Sequence, residues 1–262
     1  MYHYTPMRKS FSFRLILILG ISVLFAASSS RGAGSRSQEK PVYKTTGSEG
    51  RITGEISFVG EAPQPKRIDA SGDPVCETGS RELFTEDIIV TKGKLANVLV
   101  YLRSGGPLGW YVFEAPTADV SISHQFCQFV PRILGMQLQQ TLQIATGDPT
   151  YHNIHFTPRE NADWNQTQAP NSDPLHHKFT KSEVGIPARD NQHPWERAYV
   201  SVFTHPFFAI TARNGLYEIS GIPPGQYTIV AWHERFGEQT AEISIGVGEQ
   251  KTLDFAFKPP EK

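Results

Sequence analysis

From Arg51 onward apolar and polar positions alternate in short runs, and no long stretch repeats an apolar face at helical spacing. Ile52, Ile56 and Phe58 lie on one side of a first strand that ends at Gly60. Residues 61–80 are rich in Pro, Ser, Gly and Asp and predict a loop carrying Cys76. Two strands, Asp87 to Val90 and Ala96 to Arg103, flank a turn at Lys92-Gly93-Lys94, and Ser104 to Gly109 breaks the pattern. From Val120 a second set follows: SISHQFCQFV, ILGMQL, LQIATGD and HNIHFT. The polar section Arg159 to Asp173 predicts a long loop, with strands resuming at Lys178 to Ile186 and Ala198 to Val202. The tail alternates most cleanly, punctuated by turns at Asn214-Gly215 and Pro223-Pro224-Gly225. The pattern predicts an all-β chain of sandwich type.

The amino terminus reads differently. Arg8, Lys9 and Arg14 precede an apolar run from Leu15 to Ala27, and Ser28, Ser29 and Ser30 follow. Residues 1–30 therefore read as a secretory signal peptide, cleaved between Ala27 and Ala33. The run is too short for a membrane span of about 20 residues, and no cysteine follows it to carry a lipid. Residues 31–50 are polar and predict a flexible lead-in. Three of the 25 basic residues leave with the leader, against 26 acidic residues in the chain. The mature protein is mildly acidic, which argues against nucleic acid as a partner and against stable membrane insertion. Its expected location is periplasmic or secreted, where the two cysteines, Cys76 and Cys127, predict one disulfide.

The tail carries Thr211, Asn214, Gly215 and Tyr217, then Gly221, Pro223, Pro224, Gly225, Tyr227 and Thr228. With Gly54-Glu55-Ile56 and Ala96-Asn97-Val98-Leu99-Val100, these residues resemble the transthyretin-like, carboxypeptidase regulatory-like domain. About a hundred residues separate its two halves here. YHNIHF (151–156) and HPWERAYVSV (193–202) in turn resemble the metal-site segments of a cupredoxin, most nearly amicyanin. Together they imply a cupredoxin-like Greek-key sandwich, residues 118–206, nested in a regulatory-like sandwich of residues 51–113 and 207–258. The layout is similar to that of exported bacterial proteins with such an insertion.

In a cupredoxin, one imidazole comes from a His-Asn strand end and the other ligands from a Cys-x-x-His-x-x-Met loop. The matching residues are His152 with Asn153, and His193 in the loop, but Asp190 stands at the thiolate position and Glu196 at the thioether position. A blue-copper centre depends on the covalent thiolate bond, so electron transfer of that kind is not expected. His152, His193, Asp190 and Glu196 make a harder donor set, suited to Cu2+, zinc or non-haem iron. The opposing reading is a decayed site with its carboxylates solvated on a loop rim and no metal. Asn153 and His155 are candidate supporting residues, with His155 on the opposite face of the strand because its offset from His152 is odd. His176 and His177 read as a solvated pair, His205 as packing at the junction of the modules, and His233 as lacking a partner.

No Gly-x-Ser-x-Gly elbow or His-Glu-x-x-His helix occurs, so the chain is not expected to be an enzyme. An acid/base set of Glu183, Asp190 and Glu196 has no motif behind it. Among the aromatics, Trp164 is the indole expected at the surface. Two readings stand: an exported, cupredoxin-like protein binding a divalent metal at a non-blue site, or a metal-free module that docks to a glycan or an envelope protein.

Overall fold

The computed structural model describes residues 39–78 and 82–259, together with Met1 and His3. The expected signal peptide lies, apart from those two residues, outside the described residues. The chain divides into two units, Met1–Gln38 and Glu39–Lys262, and every strand among the described residues belongs to the second. Among the described residues no helix is long and apolar enough to cross a membrane.

The first strands are β1 (Gly50–Phe58), β2 (Val90–Thr91), β3 (Lys94–Leu95) and β4 (Leu99–Leu102). Then come β5 (Val120–His124), β6 (Phe129–Val130), β7 (Ile133–Gln137), β8 (Leu142–Thr146), β9 (His152–Phe156), β10 (Trp164–Gln168), β11 (Leu175–His177), β12 (Glu183–Arg189) and β13 (Arg197–Phe203). These pair only with one another, in sheets of order β10-β9-β12-β13-β7 and β11-β8-β5-β6. The last strands are β14 (Phe208–Ile210), β15 (Leu216–Ile222), β16 (Gly225–His233), β17 (Gly237–Ile245), β18 (Gln250–Thr252) and β19 (Phe255–Phe257). They return to the first four: one sheet runs β15-β1-β3-β2, with β18 and β19 parallel to β1, and the other runs β14-β4-β16-β17. One β-sandwich is thus nested between the strands of another.

Alternation in the sequence becomes burial. Ile52, Ile56 and Phe58 of β1 face a core that also holds Val100, Leu102, Tyr217, Ile219, Ile229 and Phe257. Ile122, Leu142, Ile144, Ile154, Phe156, Ile186, Ala198 and Val200 form the inner core. Gly54 of the family-like pattern has a steric reason. Tyr217 lies opposite it and donates its hydroxyl to the carbonyl of Leu253 at 2.6 Å. A Cβ at Gly54 would stand 1.8 Å from that carbonyl oxygen and 2.6 Å from the Tyr217 ring.

A third apolar cluster joins the sandwiches. Leu99, Tyr101 and Val230 of the outer one meet Ile133 and Phe203 of the inner one, with Phe208 and Trp232 alongside. Burying each such side chain contributes about 1.5–3 kcal/mol. Arg132 and Glu234 pair across the same seam, nearly buried, with Nη2 donating to Oε2 at 2.8 Å.

Some elements differ from the sequence expectation. The expected loop 159–173 contains β10, an edge strand paired along its length with β9; its WNQTQ sequence is polar because most of it faces water. The loop 61–80 contains a short helix, α1 (Pro74–Thr78), whose first turn is held by Asp73 Oδ1 accepting from Val75 N–H at 2.7 Å. The strand expected from Ala96 starts at Leu99, since Asn97 has φ 59° where the chain crosses between sheets. The strand expected from Lys178 starts at Glu183. Within the expected lead-in, the chain is pinned from Pro41 onward: Val112 N–H donates to Pro41 and Tyr43 N–H to Val112, and Tyr43 packs on Tyr111 and Phe113.

Candidate metal centre

One end of the inner sandwich gathers three histidines and two carboxylates, all buried. β9 begins with His152, whose side chain shares the inward face with Ile154 and Phe156. β5 ends with His124, inward on the same alternation as Ile122. The loop between β12 and β13 supplies Asp190, His193 and Glu196. It is drawn into a tight turn because Asp190 Oδ1 accepts from the N–H groups of Gln192 at 2.6 Å and His193 at 3.0 Å. Glu196 N–H closes the turn on the carbonyl of His193 at 2.8 Å.

All three imidazoles turn Nδ1 toward the carboxylates. Asp190 Oδ2 lies 3.1 Å from Nδ1 of His152, 3.1 Å from Nδ1 of His193 and 3.9 Å from Nδ1 of His124. Glu196 Oε2 is 2.8 Å from His124 Nδ1, and Oε1 is 3.2 Å from His152 Nδ1 and 3.6 Å from His193 Nδ1. The His124 and His152 rings stack, with centroids 4.2 Å apart. Donors about 2.0–2.2 Å from a common cation stand roughly 3–4 Å from one another, and these separations span that range. His124, His152, Asp190 and Glu196 form one mutually close donor set, with His193 joined to it through the two carboxylates.

The far edges of two rings meet an outer pair of carboxylates. His193 Nε2 hydrogen-bonds Asp73 Oδ2 at 3.1 Å. His152 Nε2 is 3.2 Å from Asp148 Oδ2 but out of line for a hydrogen bond. Carboxylates behind metal-ligating imidazoles fix the tautomer and ring orientation. Asp73 also accepts from Thr150 Oγ1 at 2.7 Å, and Asp148 accepts from the N–H groups of Phe126 and Cys127. Cys76 and Cys127 form the expected disulfide, which ties the loop carrying Asp73 to the inner sandwich.

The charges are strongly coupled. Burial disfavours a charged His152, yet the close carboxylates of Asp148, Asp190 and Glu196 reverse this and push it up to about 11. Burial likewise opposes a charged His193, and the bonds to Asp190 and Asp73 raise it. Against burial, Asp190 is held far below the usual carboxylate range by its bonds to His152 and His193. Asp73, again against burial, is brought down to about 2 by Thr150 and His193.

This places each sequence candidate. His152, Asp190 and Glu196 are in one cluster, and His193 touches it. Both carboxylates are buried rather than solvated on a rim: Asp190 is 2% exposed and Glu196 1%. Asn153 steadies the loop, its N–H donating to Asp190 Oδ2 at 3.0 Å and its side-chain amide to Gln166 O at 2.9 Å. His155 faces outward to Asp163, 3.0 Å away. His124, Asp148 and Asp73 were missed. For His124 the signal was present, since it continues the inward alternation of Val120 and Ile122. Asp73, remote in sequence, could be found only through the disulfide three residues on.

Other expectations need correction. His177 is half-buried against Phe156, Trp164 and Phe179; Trp164 is itself covered by Phe156 and His177, and Trp110 is the exposed indole at 64%. His233 has partners: its Nδ1 accepts from Arg235 N–H at 3.1 Å and its ring stacks on Phe236. His205 does pack at the junction of the modules as expected, between Phe203 of the inner sandwich and Phe207 and Phe113 of the outer. Glu183 lies away from the centre, accepting the N–H groups of Arg159, Glu160 and Asn161.

A blue-copper ion does not fit these residues. Asp190 and Glu196 occupy the sulfur positions, and both cysteines are consumed in the disulfide. Three imidazole nitrogens and two carboxylates do fit a borderline divalent cation such as Cu2+ or Zn2+.

Residues 188–258 match the family model described as carboxypeptidase regulatory-like domain, a stretch that takes in the loop of Asp190, His193 and Glu196 and β13 as well as β14–β19. No curated protein matches the chain. Among solved structures, the purple cupredoxin of Nitrosopumilus maritimus is similar at 20% identity over 32% of this chain and 99% of that one, with a TM-score of 0.28. Amicyanin from Paracoccus versutus is similar at 16% identity over 34% of this chain and 85% of its own, with a TM-score of 0.30. The copper-containing nitrite reductase of Thermus scotoductus SA-01 is similar at 12% identity and a TM-score of 0.31; the match covers 56% of this chain and 28% of the reductase.

Proposed function

We propose that the protein is an exported, cupredoxin-like binding protein of the cell envelope that holds one divalent cation, Cu2+ or Zn2+, at a non-blue centre. The ligands are His124, His152 and His193 through Nδ1, with Asp190 and Glu196. The observation that carries this reading is the convergence of three buried Nδ1 atoms on two buried carboxylates. Isolating such charges from water costs several kcal/mol per ion unless each is matched. A dication matches both carboxylates at once and frees the imidazoles to act as neutral donors. Bound there, it would supply a fixed positive charge; the chain's own part is to hold and orient the donors and exclude water. A donor set this full suits holding a cation rather than presenting it to a substrate, so binding is proposed and catalysis is not.

The test is a Cu2+ and Zn2+ titration of the mature protein beside His152→Ala/His193→Ala and His124→Ala variants. One equivalent is expected, with a copper spectrum lacking the intense blue band. The double variant should lose binding, and His124→Ala should weaken it about tenfold or more, a loss of at least about 1.4 kcal/mol. An intense blue colour, or no cation bound at micromolar concentration, would overturn the assignment.

A further inference from the structure

The far edges of His152 and His193 face a second group of donors, which lie behind the ligands of the centre above rather than among them. Asp73, Cys76 and His193 each bring a ligand atom within 4.8 Å of the others, and so do Cys127, Asp148 and His152. The disulfide connects the two trios, one sulfur in each. His152 Nε2 is fully buried here and lacks an aligned hydrogen bond. Asp148 is fixed beside Cys127 by accepting that residue's own N–H at 2.9 Å. Asp73, also the cap of α1, is held on the other side by Thr150. Ala70, Leu83, Ile68 and Trp195 wall the sulfurs, and Trp195 Nε1 donates to the carbonyl of Cys127 at 3.0 Å. A cavity of about 470 Å3, lined by Ile68, Ala70, Cys76 and Leu83 among others, leads to the bridge.

We propose that reducing the Cys76–Cys127 disulfide opens a second cation site, made of the two thiolates with the carboxylates of Asp73 and Asp148. A dithiol reductant supplies the two electrons and two protons: its S–H pair becomes an S–S bond while the Cys76–Cys127 bond becomes two thiols. Cation binding then displaces both thiol protons to solvent. Two sulfurs with two hard oxygens suit Zn2+, and sulfur draws Cu+ more strongly than the inner centre can. In the oxidised protein the sulfurs are bonded to each other, so this site is closed and the inner set stands alone. In an oxidising compartment that is the resting state.

The inference goes beyond the inner centre and does not need it to be filled. The protein is titrated with Co2+ and Zn2+ while oxidised, and again after reduction by a phosphine, which leaves no competing thiol. Reduction should add one equivalent, accompanied by a near-ultraviolet thiolate-to-cobalt band absent from the oxidised protein and from Cys76→Ala/Cys127→Ala. If the oxidised chain binds nothing but reduction still creates one sulfur-ligated equivalent, the inner-centre reading fails and this one stands. If the added equivalent or the band is missing, or the band persists in the double variant, the second site does not exist. Amide circular dichroism is followed in parallel, and loss of the fold on reduction would equally reject the proposal.

Discussion

At the scale of single residues, two pairs of buried histidines are shifted in opposite directions. His152 and His193 are raised by carboxylates, so in the metal-free protein their contribution is full below about pH 6.5 and fades as pH rises. His205 and His233 are buried among aromatic rings, each with an unpartnered Nε2, and burial depresses both to about 4. Nearby Arg132 and Arg235 add to the effect at His233, while Asp87 opposes it. For such a group nothing is lost above the unfolded value near 6.5. As pH falls toward 4, the unfolded chain takes up a proton that the native state refuses, and stability drops. At pH 5 the loss is about 2 kcal/mol per histidine. Urea unfolding at about pH 7.5 and about pH 5 should therefore show His233→Phe losing about 2 kcal/mol less than the parent chain between those values. Equal losses in the two proteins would mean that His233 is not buried as a neutral ring.

At the scale of elements, the two sandwiches meet through close contacts that leave little slack. Gly135 on β7 lies under the Phe208 ring of β14, and a Cβ there would stand 2.5 Å from Phe208 Cε2. Phe208 is stacked on Phe203, ring centroids 4.8 Å apart, so it has no free direction in which to yield. Gly135→Ala should cost about 1–3 kcal/mol through overpacking, read as a lower thermal midpoint; an unchanged midpoint would show that the seam is loose. The elements themselves were mostly legible, because alternation of Ile52, Ile56 and Phe58, or of Ile122 with His124, fixes which face is buried. The turns at Asn214-Gly215 and Pro223-Pro224-Gly225 were equally plain. β10 was not: an edge strand facing water on most positions carries no apolar period, and only its pairing with β9 makes it a strand. The split between β3 and β4 was hidden for a related reason, since one residue with positive φ, Asn97, moves a continuous apolar run from one sheet to the other. Of the candidate centre, the residues near the His-Asn and loop motifs could be named, while Asp73 and Asp148 could not. Their roles arise from contacts over the ring edges of His193 and His152, which local spacing does not encode.

At the scale of the whole molecule, the nested layout makes the candidate centre a joint product of both modules. The inner sandwich provides the three imidazoles and the inner carboxylates, but Asp73 comes from the loop after β1, fastened by the disulfide to Cys127. The same two modules share the cluster of Leu99, Tyr101, Val230, Ile133 and Phe203, and the Arg132–Glu234 pair bridges them. Each of those apolar side chains would be left in water if one module opened without the other, and Glu234 would lose its cation. Removing one partner of a nearly buried pair costs about 3–5 kcal/mol, comparable with the total stability of a small domain of about 5–15 kcal/mol. Neither sandwich therefore has an independent transition available to it. Calorimetry of the oxidised chain from residue 31 onward should show a single unfolding peak whose calorimetric and van't Hoff enthalpies agree. Residues 118–206 expressed alone should melt well below that peak, because they lack Asp73 and Cys76 and expose Ile133 and Phe203. Two resolved peaks in the full chain, with the excised segment reproducing one of them, would mean that the inner sandwich folds on its own and that the outer one only carries it.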